Sequence, residues 1–202
     1  MKRLTRTGRC CLGVQLAIMT GLPVAAAEVV RSVDGETGLA KWSFTAGDVE
    51  IELIQRLPDQ TRGFFQARDF PNAVADEIAT NCIFQTIIRN TDTSGAGSPV
   101  AIDLETWRIR HDGVEGGVKL KESWLASWPE ATVGQAARLA FKWALFPTRQ
   151  EFLPGDYNWG MTAYGLSGGS VFDLLVVWQS GGLAESGWIR GIECAPDVEK
   201  LK

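Results

Sequence analysis

The stretch Asn81-Cys82-Ile83-Phe84-Gln85-Thr86-Ile87-Ile88-Arg89 decides how this chain is read. β-branched and aromatic residues dominate it and neither glycine nor proline interrupts it, which is the composition of a central β-strand. It closes in Asn90-Thr91-Asp92, the opening of a loop rich in Ser, Thr and Gly that runs to Ser98-Pro99. Working outward, the same strand-and-turn alternation recurs on both sides. Upstream, Glu28–Val33 ends at the turn pair Asp34-Gly35, Leu39–Thr45 alternates up to Ala46-Gly47-Asp48, and Val49–Leu57 sets Val49, Ile51 and Leu53 against Glu50 and Glu52. Downstream, Val100–Arg110 alternates, Gln150–Leu153 and Trp159–Leu166 are short strands, Val171–Gln179 is strongly apolar, and Ser186–Cys194 is the last strand. Turn residues separate these runs at short intervals, which is the all-β signature.

Helix signals are few. Pro71–Thr80 has proline at a helix start followed by two or three turns of Ala, Val and Ile, and Val133–Ala140 is alanine-rich. Phe64–Arg68 and Phe141–Phe146 are expected as strands, and His111–Gly117 as a solvated glycine-rich loop. Val118–Trp128 fits either period, because Leu120, Trp124 and Trp128 have helical spacing while Val118–Lys121 suits a strand. Strands with little helix fit a β-sandwich or a small barrel. Cys82–Asn90 resembles the core strand of immunoglobulin-like periplasmic domains, and so does Phe152–Trp178, where a Pro-Gly turn precedes two apolar strands. The resemblance implies an all-β, immunoglobulin-like β-sandwich with short helical insertions, and it implies a fold without implying an activity. The cysteines depart from the immunoglobulin pattern, since Cys82 and Cys194 lie too far apart for its usual pair.

The first residues read as an address. Lys2, Arg3, Arg6 and Arg9 precede an apolar stretch from Cys10 to Leu22, and Pro23-Val24-Ala25-Ala26-Ala27 offers small residues to a signal peptidase. The expected division is a cleaved secretory signal at 1–27 and one β-sandwich domain at 28–202. Cleavage removes four of the 20 Lys and Arg and none of the 24 Asp and Glu, leaving a net charge of −8. An acidic surface repels phosphate backbones, so nucleic acid is not expected as a partner. No later stretch is apolar for long enough to span a bilayer. A periplasmic or secreted location follows, and there Cys82 and Cys194 are expected to form a disulfide enclosing 111 residues.

Catalytic motifs are thin. Gly165-Leu166-Ser167-Gly168-Gly169 spells G-x-S-x-G, but a strand follows where that elbow needs a helix, and the one histidine, His111, precedes the serine. Asp103 and Glu105 stand two apart on an expected strand, so their carboxylates share a face beside Trp107, as glycoside hydrolysis needs and as a solvated sheet face also shows. A copper site could be composed from His111, Met161 and a free cysteine. No metal-ligand spacing or phosphate loop occurs, and no cofactor is expected.

Tryptophan is the unusual signal, with eight residues. Trp42, Trp107, Trp143, Trp178 and Trp188 fall in expected strands, where they would fill the core. Asp156-Tyr157-Asn158-Trp159 places two aromatic rings with an amide and a carboxylate at a turn, as a sugar or peptide site would. The expected function is that of an exported, non-enzymatic binding or accessory module acting through another envelope protein. The candidate ligand-binding residues are Asp156, Tyr157, Asn158 and Trp159; the alternatives are a carbohydrate-binding module using Tyr157 and Trp159, with Trp124 or Trp128 as further candidates, and a copper-handling protein.

Overall fold

The computed structural model describes residues 27–197. The expected signal segment lies outside the described residues, apart from Ala27. The chain is mostly β, in two antiparallel sheets with four helices. The first sheet contains β1 (Glu28–Val33), β2 (Ala40–Ala46), β3 (Val49–Gln55), β4 (Ile83–Asn90) and β9 (Tyr157–Ala163), in the order β1-β2-β3-β4-β9. The second has the order β7-β6-β10-β5-β8, from β5 (Val100–Asp103), β6 (Arg108–His111), β7 (Val114–Gly117), β8 (Arg149–Phe152) and β10 (Val171–Ser180). Strand β11 (Leu183–Glu193) pairs with β10 almost end to end. The helices are α1 (Pro58–Gln66), α2 (Asn72–Ala79), α3 (Lys121–Ser127) and α4 (Gln135–Ala144).

The stretch from Ile83 to Asn90 buries Phe84, Thr86, Ile88 and Asn90 on its inner face, while on the outer face Ile83 is buried and Gln85, Ile87 and Arg89 are half-buried. Phe84 and Ile88 point into the space between the sheets, where Phe44, Ile51, Leu174, Val176 and Ile189 meet them. Phe44 packs edge-on to Trp178 across that space at 5.6 Å between ring centroids, and Phe84 meets Phe172 at 6.3 Å. Ile83 points the other way, into a second core that the helices build on the outer face of the first sheet with Phe65, Phe70, Trp124, Trp128, Phe141 and Met161. The arrangement is a sandwich with a helical layer on one side. Cys82 and Cys194 are joined, with 5.2 Å between their Cα atoms, and tie the start of β4 to the end of β11. Buried polar groups along β4 are satisfied. The Thr86 and Thr162 hydroxyls lie 2.7 Å apart, Thr162 also bonds the Tyr164 hydroxyl, and Asn90 Nδ2 donates to the carbonyls of Ser98 and Phe152.

Four expectations are corrected. Phe64–Arg68 is no strand, because α1 starts with Pro58 at its first turn and buries Pro58, Thr61 and Phe65 at helical spacing. Phe141–Phe146 is no strand either: α4 runs to Ala144, burying Ala137 and Phe141 one turn apart. His111–Gly117 is a hairpin rather than a loop, since Asp112 (φ 49°) and Gly113 (φ 78°) supply the two left-handed positions of a tight turn between β6 and β7. Asp103 and Glu105 do not share a strand face. β5 ends at Asp103, whose Oδ1 accepts the Glu105 N–H and starts a 3-10 turn at Leu104–Thr106.

Candidate groove at the edge of the first sheet

Strand β9 is an edge of the first sheet, and its register on β4 sets Tyr157 opposite Arg89, Trp159 opposite Ile87 and Met161 opposite Gln85. Tyr157 and Trp159 stand two apart on a strand and share a face. They are strand residues rather than turn residues, and the face they share is open: Tyr157 is 65 % exposed and Trp159 62 %. Farther along the strand the helical layer covers that face, so Met161 is buried. Trp159 sits at the boundary.

Helix α4 ends against this boundary. Ala137 and Phe141 hold one side of the helix in the second core, which turns Leu139 and Trp143 to the opposite side. Leu139 is 55 % exposed and Trp143 81 %. The chain leaving α4 passes so close to β9 that a Cβ on Gly160 would lie 2.6 Å from the Phe146 nitrogen. Phe146 N–H donates to the Met161 carbonyl at 2.8 Å. Between helix and strand lies a groove of about 380 Å³, walled by Leu139, Trp143, Pro147 and Trp159 and rimmed by Lys121 and Lys142, with Asn158 at its border. Among the described residues, neither Trp143 nor Trp159 stacks on another ring.

The two polar members of the expected site each make hydrogen bonds within the protein. Asn158 Oδ1 accepts the Trp159 N–H at 2.8 Å and its Nδ2 donates to Gln150 Oε1 at 2.6 Å. Asp156 Oδ2 accepts the Leu153 N–H at 3.0 Å, closing the turn that carries Gly155 at φ 82°. The edge itself is capped. Besides Asn158 on Trp159 and Phe146 on Met161, Lys119 N–H donates to the Ala163 carbonyl at 2.8 Å.

No family model matches the chain, and neither a curated protein nor a solved structure matches it.

The remaining tryptophans separate by environment. Trp42, Trp107 and Trp178 are buried as expected, the Trp107 indole donating to the Val177 carbonyl at 3.0 Å. Trp188 is half-buried, with Arg110 at 4.6 Å and Arg190 at 5.5 Å from its ring centroid. Trp124 and Trp128 are buried in the second core, so neither can stack on a ligand. Trp143, expected in a core strand, is the most exposed of the large hydrophobics. The missed signal was spacing: Leu139 and Trp143 are four apart and out of phase with Ala137 and Phe141.

The other candidates come apart. Arg149 bridges Asp103 and Glu105, with its Nε 2.9 Å from Asp103 Oδ2 and its other arm on Glu105. Burial pushes the Asp103 carboxyl up, but the Arg149 guanidinium and the Glu105 N–H outweigh it and hold the group below the usual carboxylate range. That is the reverse of what a glycosidase acid needs. His111 Nδ1 lies 2.9 Å from the Val171 carbonyl in the second sheet, whereas Met161 is packed under the helices and both Cys82 and Cys194 are consumed in the disulfide. The proposed copper donors are therefore not brought together. Ser167 lies in the turn before β10, its carbonyl accepting the Ser170 N–H.

Proposed function

We propose that this chain is an exported, non-enzymatic binding module that engages another envelope protein through the groove between Trp143 and Trp159. One observation carries the reading. Two large rings from different elements face water across an apolar groove, in a protein that buries five of its other tryptophans. Leaving such a ring outside a core forgoes roughly 3 kcal/mol of burial. Exposed apolar patches of this kind mark interaction surfaces. Export is supported by the basic-then-apolar leader and by the disulfide, which suits an oxidising compartment. Among the described residues, no helix is long and apolar enough to cross a membrane. The immunoglobulin-like kinship belongs to the same proposal. Two packed antiparallel sheets support it, while the neighbouring order β1-β2-β3-β4, with α1 and α2 inserted between β3 and β4, differs from the Greek-key order of such domains.

A photo-crosslinking amino acid placed at Leu139 tests the reading in cells. A discrete adduct with an envelope protein is expected, and it should disappear when Trp159→Ala is added. Adducts from a probe at Val114, on the β6–β7 hairpin, with none from Leu139 would move the surface elsewhere and overturn the proposal.

The second reading is a carbohydrate-binding module, favoured by the exposed Tyr157 and Trp159. It asks for polar groups that meet hydroxyls, and Asn158 and Asp156 each already hold part of their hydrogen-bonding capacity within the protein. Glycan-dependent quenching of tryptophan fluorescence that vanishes in Trp159→Ala would favour it over the first.

A further inference from the structure

We infer that the groove takes an acidic polypeptide segment carrying one large apolar side chain. The inference rests on the reading of this groove as the partner surface and assigns the chemistry of what fills it. The walls are apolar and come from two elements, and the Trp143 and Trp159 rings leave a slot between them rather than closing on each other. A flat or branched apolar side chain entering the slot would gain contact with both rings and with Leu139.

The rim settles the charge of the flanking residues. Lys121 and Lys142 line the groove, and among the described residues neither has an ion pair, whereas Lys41 and Lys119 each face a glutamate. No carboxylate lines this groove. The site is thus basic on a chain whose net charge after the leader is −8. An acidic segment is repelled by most of the surface and attracted here, which gives a partner of that sign both steering and register. A neutral glycan is poorly served. Its hydroxyls need fixed donors and acceptors, the amide of Asn158 is engaged on both sides, and two mobile ammonium groups do not replace it. An acidic glycan would satisfy the lysines as well, and polygalacturonate serves below as the competing ligand.

Fluorescence anisotropy on the purified protein tests this with three labelled synthetic peptides. One has a central phenylalanine flanked by aspartates and glutamates. The second replaces every acid with lysine, and the third keeps the acids but replaces phenylalanine with serine. The first is expected to bind with Kd in the range of tens to hundreds of micromolar, and the other two about tenfold more weakly. Raising the salt to about 0.5 M should weaken the first toward the second. In a Lys121→Glu, Lys142→Glu variant the preference between acidic and basic peptides should invert, and Trp143→Ala should reduce binding of each.

Equal binding of acidic and basic peptides, lost in Trp143→Ala, would overturn the acidic assignment and leave the groove as a partner surface. Peptide binding that ignores both tryptophans would overturn the assignment and that reading together. Failure of every peptide, or tighter binding of polygalacturonate than of the first peptide, would overturn the assignment, and the crosslink at Leu139 then decides the wider reading separately. A circular dichroism melt of each variant establishes that it is folded.

Discussion

The side chain of Gln55 spans the two sheets: from β3 it reaches the backbone carbonyl of Glu193 in β11, its Nε2 donating at 2.7 Å. The same amide accepts the Ala40 N–H through Oε1 at 2.8 Å, so both ends of a buried side chain are used. Replacing it with leucine leaves a buried N–H and a carbonyl without partners. The expected loss is about 1–3 kcal/mol, read as a fall in the urea midpoint with little change in slope. An unchanged midpoint would mean that water reaches both groups.

The Cys82–Cys194 bond closes a loop with a separation of 112 residues. Chain-entropy reasoning assigns such a loop about 4–5 kcal/mol, as an upper figure. A Cys82→Ala, Cys194→Ala variant should melt well below the oxidised protein, and reducing agent should lower the wild type by a similar amount while leaving the variant unmoved. Equal melting of the oxidised and reduced wild type would show that the packed core carries the linkage by itself.

Gly160 permits the close passage of the chain leaving α4. Backbone rather than a flexible side chain stands 2.6 Å from where a Cβ would be, so Gly160→Ala must push the strand and the 145–147 segment apart. A destabilisation of about 1–3 kcal/mol is expected, together with a change in Trp143 and Trp159 fluorescence as the groove widens. Gly116→Ala, whose Cβ would make only ordinary contact with Ile109, serves as the control.

Burial pushes the Tyr164 phenol well above its ordinary value, although Thr162 and Thr86 bond to it and pull the other way. An acid whose folded pKa is raised binds its proton more tightly when folded, so stability is lost as pH climbs past the unfolded phenol value of about 10. In a Tyr157→Phe protein, where Tyr164 is the remaining tyrosine, the absorbance rise at about 295 nm should coincide with unfolding. The acid limb runs the opposite way. Burial raises the Glu52 carboxyl, but Lys41 at 2.7 Å and Arg89 at 3.1 Å outweigh it and lower it. Its contribution is complete above the unfolded value near 4 and fades as pH falls below it. Lys41→Met should flatten that limb.

Exposure separates the tryptophans into two kinds that mutation should distinguish. Trp143→Ala and Trp159→Ala remove rings that mostly face water, and their effect on stability should be within about 1 kcal/mol. Trp124→Ala empties part of the second core beside Phe141 and Trp128 and should cost about 3–5 kcal/mol. Comparable losses at all three would mean that the groove rings pack inward in solution.

Much of the β-framework was legible because alternation along a half-buried strand is a local signal. Val49, Ile51 and Leu53 face inward in β3 as their spacing says, and the β-branched and aromatic run at Ile83–Ile88 forms β4, with Phe84 and Ile88 inward and Ile83 under the helices. The helical layer was less legible. Phe64 and Phe65 look like strand residues until Pro58, Thr61 and Phe65 are counted together, and Trp143 looks like core until its phase against Phe141 is counted. Tyr157 and Trp159 stand out in the sequence because aromatic residues beside a Pro-Gly turn are conspicuous. Their neighbour Trp143 was not found, because its approach depends on a close contact at Gly160 that no local pattern records. Trp124 and Trp128, which their spacing leaves open between helix and strand, are buried in the second core by α4 and by Phe65 and Phe70, which lie far upstream in sequence.

The bond between Cys82 and Cys194 also imposes a timetable on a chain emerging from synthesis. Cys82 must wait for β11 before its partner exists, and through that interval the thiols already made are those at positions 10, 11 and 82. Four cysteines admit three fully paired connectivities, two admit one. In the proposed exported form, cleaved after Ala27, Cys10 and Cys11 are gone and a single intramolecular pairing is left. On that proposal the peptidase that trims the leader also edits the redox choices of the protein, and a variant that kept its leader would be the one expected to scramble.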